Sequence, residues 1–256
     1  IYKCVEKSGL RVSELALEPL ASAESVLSKE ELEAGVVLVD IGGGTTDVAI
    51  FHDNIIRHTA IIPYGGNIIT EDIKEGCNVM KAHAELLKTK FGSALANEQD
   101  VNEIVTIPGI RGREAREISV KNLSKIIQAR IEEIMELVYY EVKASNMEKK
   151  LAGGIVLTGG GSQLSHIAQL AEFVTGLDAR IGFPNEHLAK GMVDEVKSPI
   201  YATSVGLVLR GLEEERVSSG NIKATFETKK SDKKKTALFD KIKDWLKDEV
   251  DVTDYK

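Results

Sequence analysis

The sequence predicts an α/β fold built on a mixed sheet, and three observations carry that prediction. The apolar run Val36-Val37-Leu38-Val39 leads through Asp40 into Gly42-Gly43-Gly44, and a second β-branched and aromatic run, Asp47 to Phe51, follows at once. A second triple glycine, Gly159-Gly160-Gly161, follows the run Ile155-Val156-Leu157 but opens into helical spacing from Leu164 to Val174. Between the two lies Lys121 to Asn146, a long breaker-poor segment whose Leu123, Ile126, Ile127, Ile131, Ile134, Leu137 and Val138 form one helical stripe.

Taken in order, Tyr2 to Ser8 reads as a short helix stopped by Gly9. Val12 to Leu17 reads as a strand ended by Pro19, and Ala21 to Leu27 as a helix, which puts Glu18 where a strand hands over to a helix. Val36 to Phe51 is a hairpin with the glycines at its tip. Asp53-Asn54 is a turn pair, and Ile55 to Ile62 is a third strand that completes a meander. After Pro63-Tyr64-Gly65-Gly66-Asn67, the segment Ile68 to Cys77 has helical spacing, and its N-terminal amides are expected to face the same mouth as the hairpin tip.

Val79 to Phe91 is a mixed-charge helix, and Glu103 to Ile107 and Arg116 to Val120 are short strands. Together they read as a small inserted helix-plus-hairpin subdomain. Ala179 to Ile181 is a last short strand. Phe183-Pro184 opens a loop holding His187, and Pro199 starts a helix whose Ala202, Val205, Gly206 and Leu209 form a small-residue face. Glu213 to Lys235 is polar and reads as a tether.

Of 256 residues, 43% are hydrophobic, which permits a sizeable core. The formal charge of -7, without an extended basic tract before the C-terminal tail, argues against a nucleic-acid partner. Cys4 and Cys77 have no metal-ligand spacing and fit a reducing compartment. No apolar run is long enough to cross a bilayer, and no Cys/His pattern points to zinc. The sequence starts at Ile1 in mid-helix style and is expected to belong to a longer protein.

The chemistry gathers at the two glycine turns. A strand follows the first, which sets it apart from dinucleotide fingerprints and Walker loops. Amides at such a tip can point at an anion; Gly42, Gly43 and Gly44 leave them unobstructed, and Thr45 and Thr46 add hydroxyls. An acid among phosphate-binding amides makes sense through Mg²⁺, so Asp40 is the expected metal-side residue. An ordinary glycine-rich hairpin is the alternative. The second turn, Gly159, Gly160, Gly161 and Ser162, suits the sugar, base or α-phosphate side of a nucleotide.

At the far end, Leu238, Phe239, Ile242, Trp245, Leu246 and Val250 share one helical face. Acidic residues outnumber the neighbouring lysines, so apolar burial rather than charge would supply membrane affinity. A protein groove, or packing on the chain itself, is the other reading of that face.

The stretch Asp40 to Asp47 resembles the second phosphate loop of the actin and heat-shock-chaperone ATPase superfamily, and Val156 to Ser162 resembles its adenosine loop. Leu17-Glu18-Pro19-Leu20-Ala21-Ser22-Ala23 is similar to the superfamily's interlobe segment, in which a Glu or Gln helps place metal-bound water. Within the superfamily the chain resembles the FtsA family of bacterial cell-division proteins. That resemblance rests on Arg57-His58-Thr59, Ile62 to Asn67, Ala152 to Gly160, Arg180-Ile181-Gly182 and Ser204 to Leu207, and it covers Ile1 to Leu212.

The resemblance implies an actin-like ATPase fold, here its second lobe with a small α+β subdomain and an amphipathic tail. Residues 1–34 would end the first lobe and connect the two. Residues 35–70 and 141–212 would form the large subdomain, 71–140 the small one, 213–235 a flexible linker and 236–256 the membrane-targeting tail. Glu18 and Asp40 become the expected catalytic residues, ATP and Mg²⁺ the expected cofactors, and Arg130 the position matching a family contact for the C-terminal tail of FtsZ.

The implied function is a division adaptor that polymerises like actin and tethers FtsZ filaments to the cytoplasmic face of the membrane beside other division proteins. ATPase activity would be weak or absent. A first phosphate loop is missing before Glu18, so half a cleft is expected to bind ATP weakly alone. A chaperone-like or shape-determining actin-fold ATPase, or a kinase of the same fold, are the competing readings.

Overall fold

The computed structural model describes residues 1–99, 103–108, 114–184 and 196–218. Five strands form one sheet in the order β3-β2-β1-β6-β7. These are β1 (Val36–Ile41), β2 (Thr46–His52), β3 (Ile55–Ile62), β6 (Ile155–Thr158) and β7 (Ala179–Ile181). The meander β1-β2-β3 is antiparallel, whereas β1-β6 and β6-β7 are parallel, so the sheet is mixed. A separate pair, β4 (Ile104–Ile107) and β5 (Arg116–Ser119), is antiparallel.

Strand β1 is buried along its whole length, which is why Val36 to Val39 is a continuous apolar run. Alternation splits it between two cores. Val37, Val39 and Ile41 pack with α4 (Gly66–Gly76), α6 (Val120–Ala144) and α7 (Ile167–Thr175) through Ile69, Ile73, Ile127, Ile131 and Leu170. Val36 and Leu38 face the other way, against Ala23 and Val26 of α2 (Glu18–Val26) and Ala202, the first residue of α8 (Ala202–Ser218). Asp40 shares the parity of Val36 and Leu38, so the strand itself aims its carboxylate at α2 and α8.

The β2-β3 turn is Asp53-Asn54 as expected, with both residues at positive φ (55° and 59°), the conformation of a two-residue hairpin turn. Its amides reach back to Glu33 and Leu32 on α3 (Lys29–Ala34). Helix α3 begins at a capping box in which Ser28 and Glu31 satisfy each other's backbone amides.

Three expectations need correction. The segment Val12 to Leu17 is not a strand: Leu10 to Leu17 has no regular structure, because no strand runs beside it to complete a ladder. Consequently Pro19 does not end a strand but sits in the first turn of α2, where a missing amide costs nothing. At the other end, α8 runs on to Ser218, so the first residues of the expected linker 213–235 are helical; Glu213-Glu214-Glu215-Arg216 are good helix formers.

The small helical and hairpin segments appear as read, with α1 at Tyr2–Lys7 and α5 at Lys81–Phe91. The boundaries drawn at 70/71 and 140/141 fall inside α4 and α6. The chain divides into two compact units, Ile1–Glu213 and Glu214–Lys256. Described residues of the second unit are 214–218, and the apolar face from Leu238 to Val250, like His187, lies outside the described residues. Among the described residues no helix is long and apolar enough to cross a membrane.

Candidate functional site

Because β1 and β6 are parallel and paired through Asp40 and Thr158, their two glycine loops leave the same end of the sheet side by side. The loops pack so tightly that two of the glycines are required by the fold. A Cβ on Gly159, which has φ 79°, would come within 2.3 Å of Asp40 Oδ1 and 2.6 Å of the Ile41 carbonyl. A Cβ on Gly161 would meet the Ile41 side chain at 2.3 Å. Gly44 is different: nothing lies within 4 Å of the position a Cβ would take, and its φ is not in the left-handed region. The fold gives no reason for glycine there.

Asp40 is 6% exposed. Its Oδ2 accepts a 2.9 Å hydrogen bond from Ser22 Oγ, and Thr203 on α8 lies 3.0 Å from the same hydroxyl. Burial pushes the Asp40 carboxyl up to about 6, the charges of Glu18 and Asp47 push the same way, and the bonds from Ser22 and Thr203 oppose them. Glu18, exposed in the first turn of α2, is close enough for its charge to act on Asp40. Among the described residues no three His, Cys, Asp or Glu side chains are arranged to hold a metal. A site with one buried carboxylate and acidic neighbours suits Mg²⁺, which usually keeps several waters and is completed by phosphate oxygens, rather than an all-protein cage.

Several expected ligand groups are committed within the protein. Thr46 is fully buried and its hydroxyl donates to the Tyr64 carbonyl at 2.8 Å. Ser162 is 2% exposed and its Oγ donates to the Gly159 carbonyl at 2.8 Å, closing its own loop. Thr45 Oγ1 donates to Asp47 at 3.2 Å on the surface. The first two amides of α4 are committed as well: Gly66 and Asn67, which line the cavity beside the loops, donate to the carbonyls of Gly42 and Gly43 at 2.9 and 2.7 Å, so the start of the helix holds the hairpin tip. The tip's carbonyls needed donors, and the helix supplied them.

A cavity of about 470 Å³ opens beside the loops. Gly42, Gly43, Gly160 and Gly161 form one side, and Glu85 and Lys88 of α5 another. Lys88 donates to the Gly66 carbonyl and to Thr70 Oγ1, both at 2.8 Å, and pairs with Glu85 at 2.8 Å. Burial raises the Glu85 carboxyl, but bonds from Lys88 and Thr70 outweigh it and hold it below the usual carboxylate range. These residues were missed in the sequence, as were Ser22 and Thr203. Spacing offered the signal: Glu85 and Lys88 stand three apart and Glu18 and Ser22 four apart, each pair on one helical face.

Arg130 is placed elsewhere, on α6, where it bonds Asp72 of α4 and Glu133 and lies over the Tyr64 ring at 5.7 Å from the centroid.

The family model described as "Cell division protein FtsA" matches residues 37–206. The chain belongs to the FtsA family. Cell division protein FtsA of Pseudomonas aeruginosa is 40% identical over 247 residues, covering 96% of this chain and 58% of that protein. FtsA of Escherichia coli K12 is 38% identical over 220 residues, covering 83% of this chain and 52% of that protein. The chain thus spans little more than half the length of these FtsA relatives.

The fold is that of the actin-like ATPases. MreB5 of Spiroplasma citri, in a crystal structure bound to ADP, superposes with a TM-score of 0.66 at 19% identity, covering 85% of this chain and 65% of that one. A subunit of the PilM-PilN type IV pilus biogenesis complex gives 0.62 at 19% identity, covering 81% and 55%.

Proposed function

We propose that this FtsA-family chain forms the second-lobe side of a nucleotide cleft in an actin-like division adaptor. The observation that supports the reading most is the pair of parallel neighbours β1 and β6, which deliver two glycine loops to one place with Asp40 between them. The amides of Gly43 and Gly44 would line the phosphates, Thr45 would turn its hydroxyl from Asp47 to join them, and Gly42 and Thr46 would shape the turn behind. The Gly159 to Ser162 loop and the cavity walled by Glu85 and Lys88 would take the sugar and base. The likeness to MreB5 structures bound to ADP and AMPPNP supports a nucleotide at this edge of the fold.

Mg²⁺, when bound, would neutralise phosphate charge. Asp40 would hold it through its waters, and Glu18 would orient one of those waters. The other wall of the cleft would come from the remaining half of the protein, so tight binding belongs to the full-length form. In this reading ATP gates assembly more than it is turned over.

Family membership extends the proposal to polymerisation, to contact with other division proteins, and to binding of the acidic C-terminal tail of FtsZ through the small subdomain that includes Arg130. The apolar face of Leu238, Phe239, Ile242, Trp245, Leu246 and Val250 would attach the assembly to the cytoplasmic face of the membrane as a peripheral protein.

Calorimetric titration of the full-length protein with ATP, in Mg²⁺ and in EDTA, tests the site. Asp40→Ala should remove most of the Mg²⁺-dependent affinity, whereas an unchanged titration would reject the assignment.

A further inference from the structure

Helix α2 carries serines on a face that packing alone would fill with alanine, as it does at Ala21 and Ala23. Ser22 is fully buried, and a buried hydroxyl without a partner is costly. Its partner is Asp40 Oδ2, at 2.9 Å. The other carboxylate oxygen, Oδ1, lies against Gly159, so the Ser22 bond fixes which oxygen faces the second glycine loop. Thr203 completes the arrangement from α8: its hydroxyl is 3.0 Å from Ser22 Oγ, and because Ser22 gives its proton to Asp40, Thr203 is the donor to Ser22.

The two helices that bring these hydroxyls together are locked to each other. A Cβ on Gly206 would come within 1.7 Å of the Ala21 carbonyl, so only glycine allows α8 to approach α2 this closely. Ser25 Oγ donates to the Ala202 carbonyl at 2.7 Å. Arg210 pairs with Glu24 at 2.9 Å. A chain of two hydroxyls from two different helices, Thr203 to Ser22, therefore ends on one carboxylate of a strand, and its spacing is set by backbone contact rather than by flexible side chains.

Resting on the nucleotide reading above, we propose that Ser22 and Thr203 are positioning residues that hold Asp40 in the orientation needed to receive a hydrated divalent cation. They act through Asp40, as groups behind a metal-side carboxylate do, and removing such a partner typically costs about 10- to 100-fold in metal affinity.

The test uses the full-length protein with Mg²⁺ and ATP as probes, and Ser22→Ala, Thr203→Val and Thr203→Ser as variants. ATP affinity is measured in Mg²⁺ and in EDTA, alongside thermal unfolding. The expected result is a loss of about 10-fold or more in the Mg²⁺-dependent part of the affinity for Ser22→Ala and Thr203→Val, with the EDTA affinity kept and Thr203→Ser close to wild type. Should Ser22→Ala fail to fold, the Thr203 pair carries the test. Equal losses in Mg²⁺ and EDTA would mean that the hydroxyls only support the fold, and unchanged affinities would mean that they do nothing for Asp40; either overturns the proposal. A wild-type protein that binds ATP equally well in Mg²⁺ and in EDTA would overturn it too, while leaving the nucleotide site standing. A wild type that binds no nucleotide at all would remove the parent reading and this one together.

Discussion

Arg130 on α6 grips Asp72 on α4 through two hydrogen bonds of 2.6 and 3.0 Å, and with it stands over the ring of Tyr64. The guanidinium is therefore paired before any partner arrives, and the carboxylate pairing raises its pKa further. If a carboxylate of the FtsZ tail uses Arg130, it must displace Asp72 or Glu133. Asp72→Asn should then strengthen binding of the tail peptide two- to fivefold, the scale of a partly exposed ion pair. Arg130→Ala should weaken it by up to about 2 kcal/mol, less if the contact is at a rim. Peptide titrations of both variants check this, and parallel losses in the two would show that the pair serves the fold alone.

Asp40 predicts a pH dependence with a definite sign. Its folded pKa, about 6, lies above the ordinary value of 3.8. Between those values the folded state holds a proton that the unfolded state has lost, so this group's contribution falls as pH rises through the window and levels off above it. The full effect is about 3 kcal/mol. Asp40→Asn should thus stabilise the nucleotide-free protein more at pH 7.5 than at pH 4.5. Thermal unfolding of both proteins at the two pH values measures it, and a gain of equal size at both would contradict the assignment. Mg²⁺-dependent ATP binding by the wild type should weaken below pH 6 as protons compete for the same oxygen.

Much of this site was legible in the sequence, and the reasons differ by residue. Glycine runs flanked by apolar strands fix where a chain turns, so the hairpin and the second loop were read correctly, and parallel pairing of β1 with β6 then put them together. What a glycine is for was not legible: Gly159 and Gly161 answer to Asp40 and Ile41 across the loop contact, a tertiary fact. Likewise Thr46, Ser162 and the first amides of α4 look like ligand donors in one dimension and prove to be partners of nearby carbonyls. The strand expected at Val12 to Leu17 had suitable residues but no edge to pair with, and propensity does not supply an edge.

The apolar face from Leu238 to Val250 predicts attachment by burial rather than by charge. At helical spacing the sequence would put six large side chains on one side, worth roughly 1.5 to 3 kcal/mol each when fully buried, whereas Lys241, Lys243 and Lys247 are outweighed by their acidic neighbours. In liposome flotation of the full-length protein, Ile242→Glu and Trp245→Glu should each release most of the bound protein, and moderate salt should release little. Release by salt alone would reverse the ranking, and unaffected flotation in both charged variants would remove this face from the membrane.

Two glycines of the site should respond to alanine in opposite ways. At Gly161 a Cβ would sit 2.3 Å from the Ile41 side chain and 3.1 Å from its carbonyl, so the two loops must part. Overpacking of this kind typically costs about 1 to 3 kcal/mol, and it should appear in the melting temperature whether or not ATP is present. At Gly44 the Cβ meets nothing within 4 Å, so Gly44→Ala should melt like the wild type, or slightly higher because alanine narrows the unfolded ensemble. Its cost should appear only when ATP is added, as a methyl standing where the phosphates approach the hairpin tip. A ten-fold or greater loss of ATP affinity in the full-length Gly44→Ala protein, with its stability intact, is the expected outcome. Wild-type affinity there would leave Gly44 without a function in the cleft and move the phosphates away from this tip.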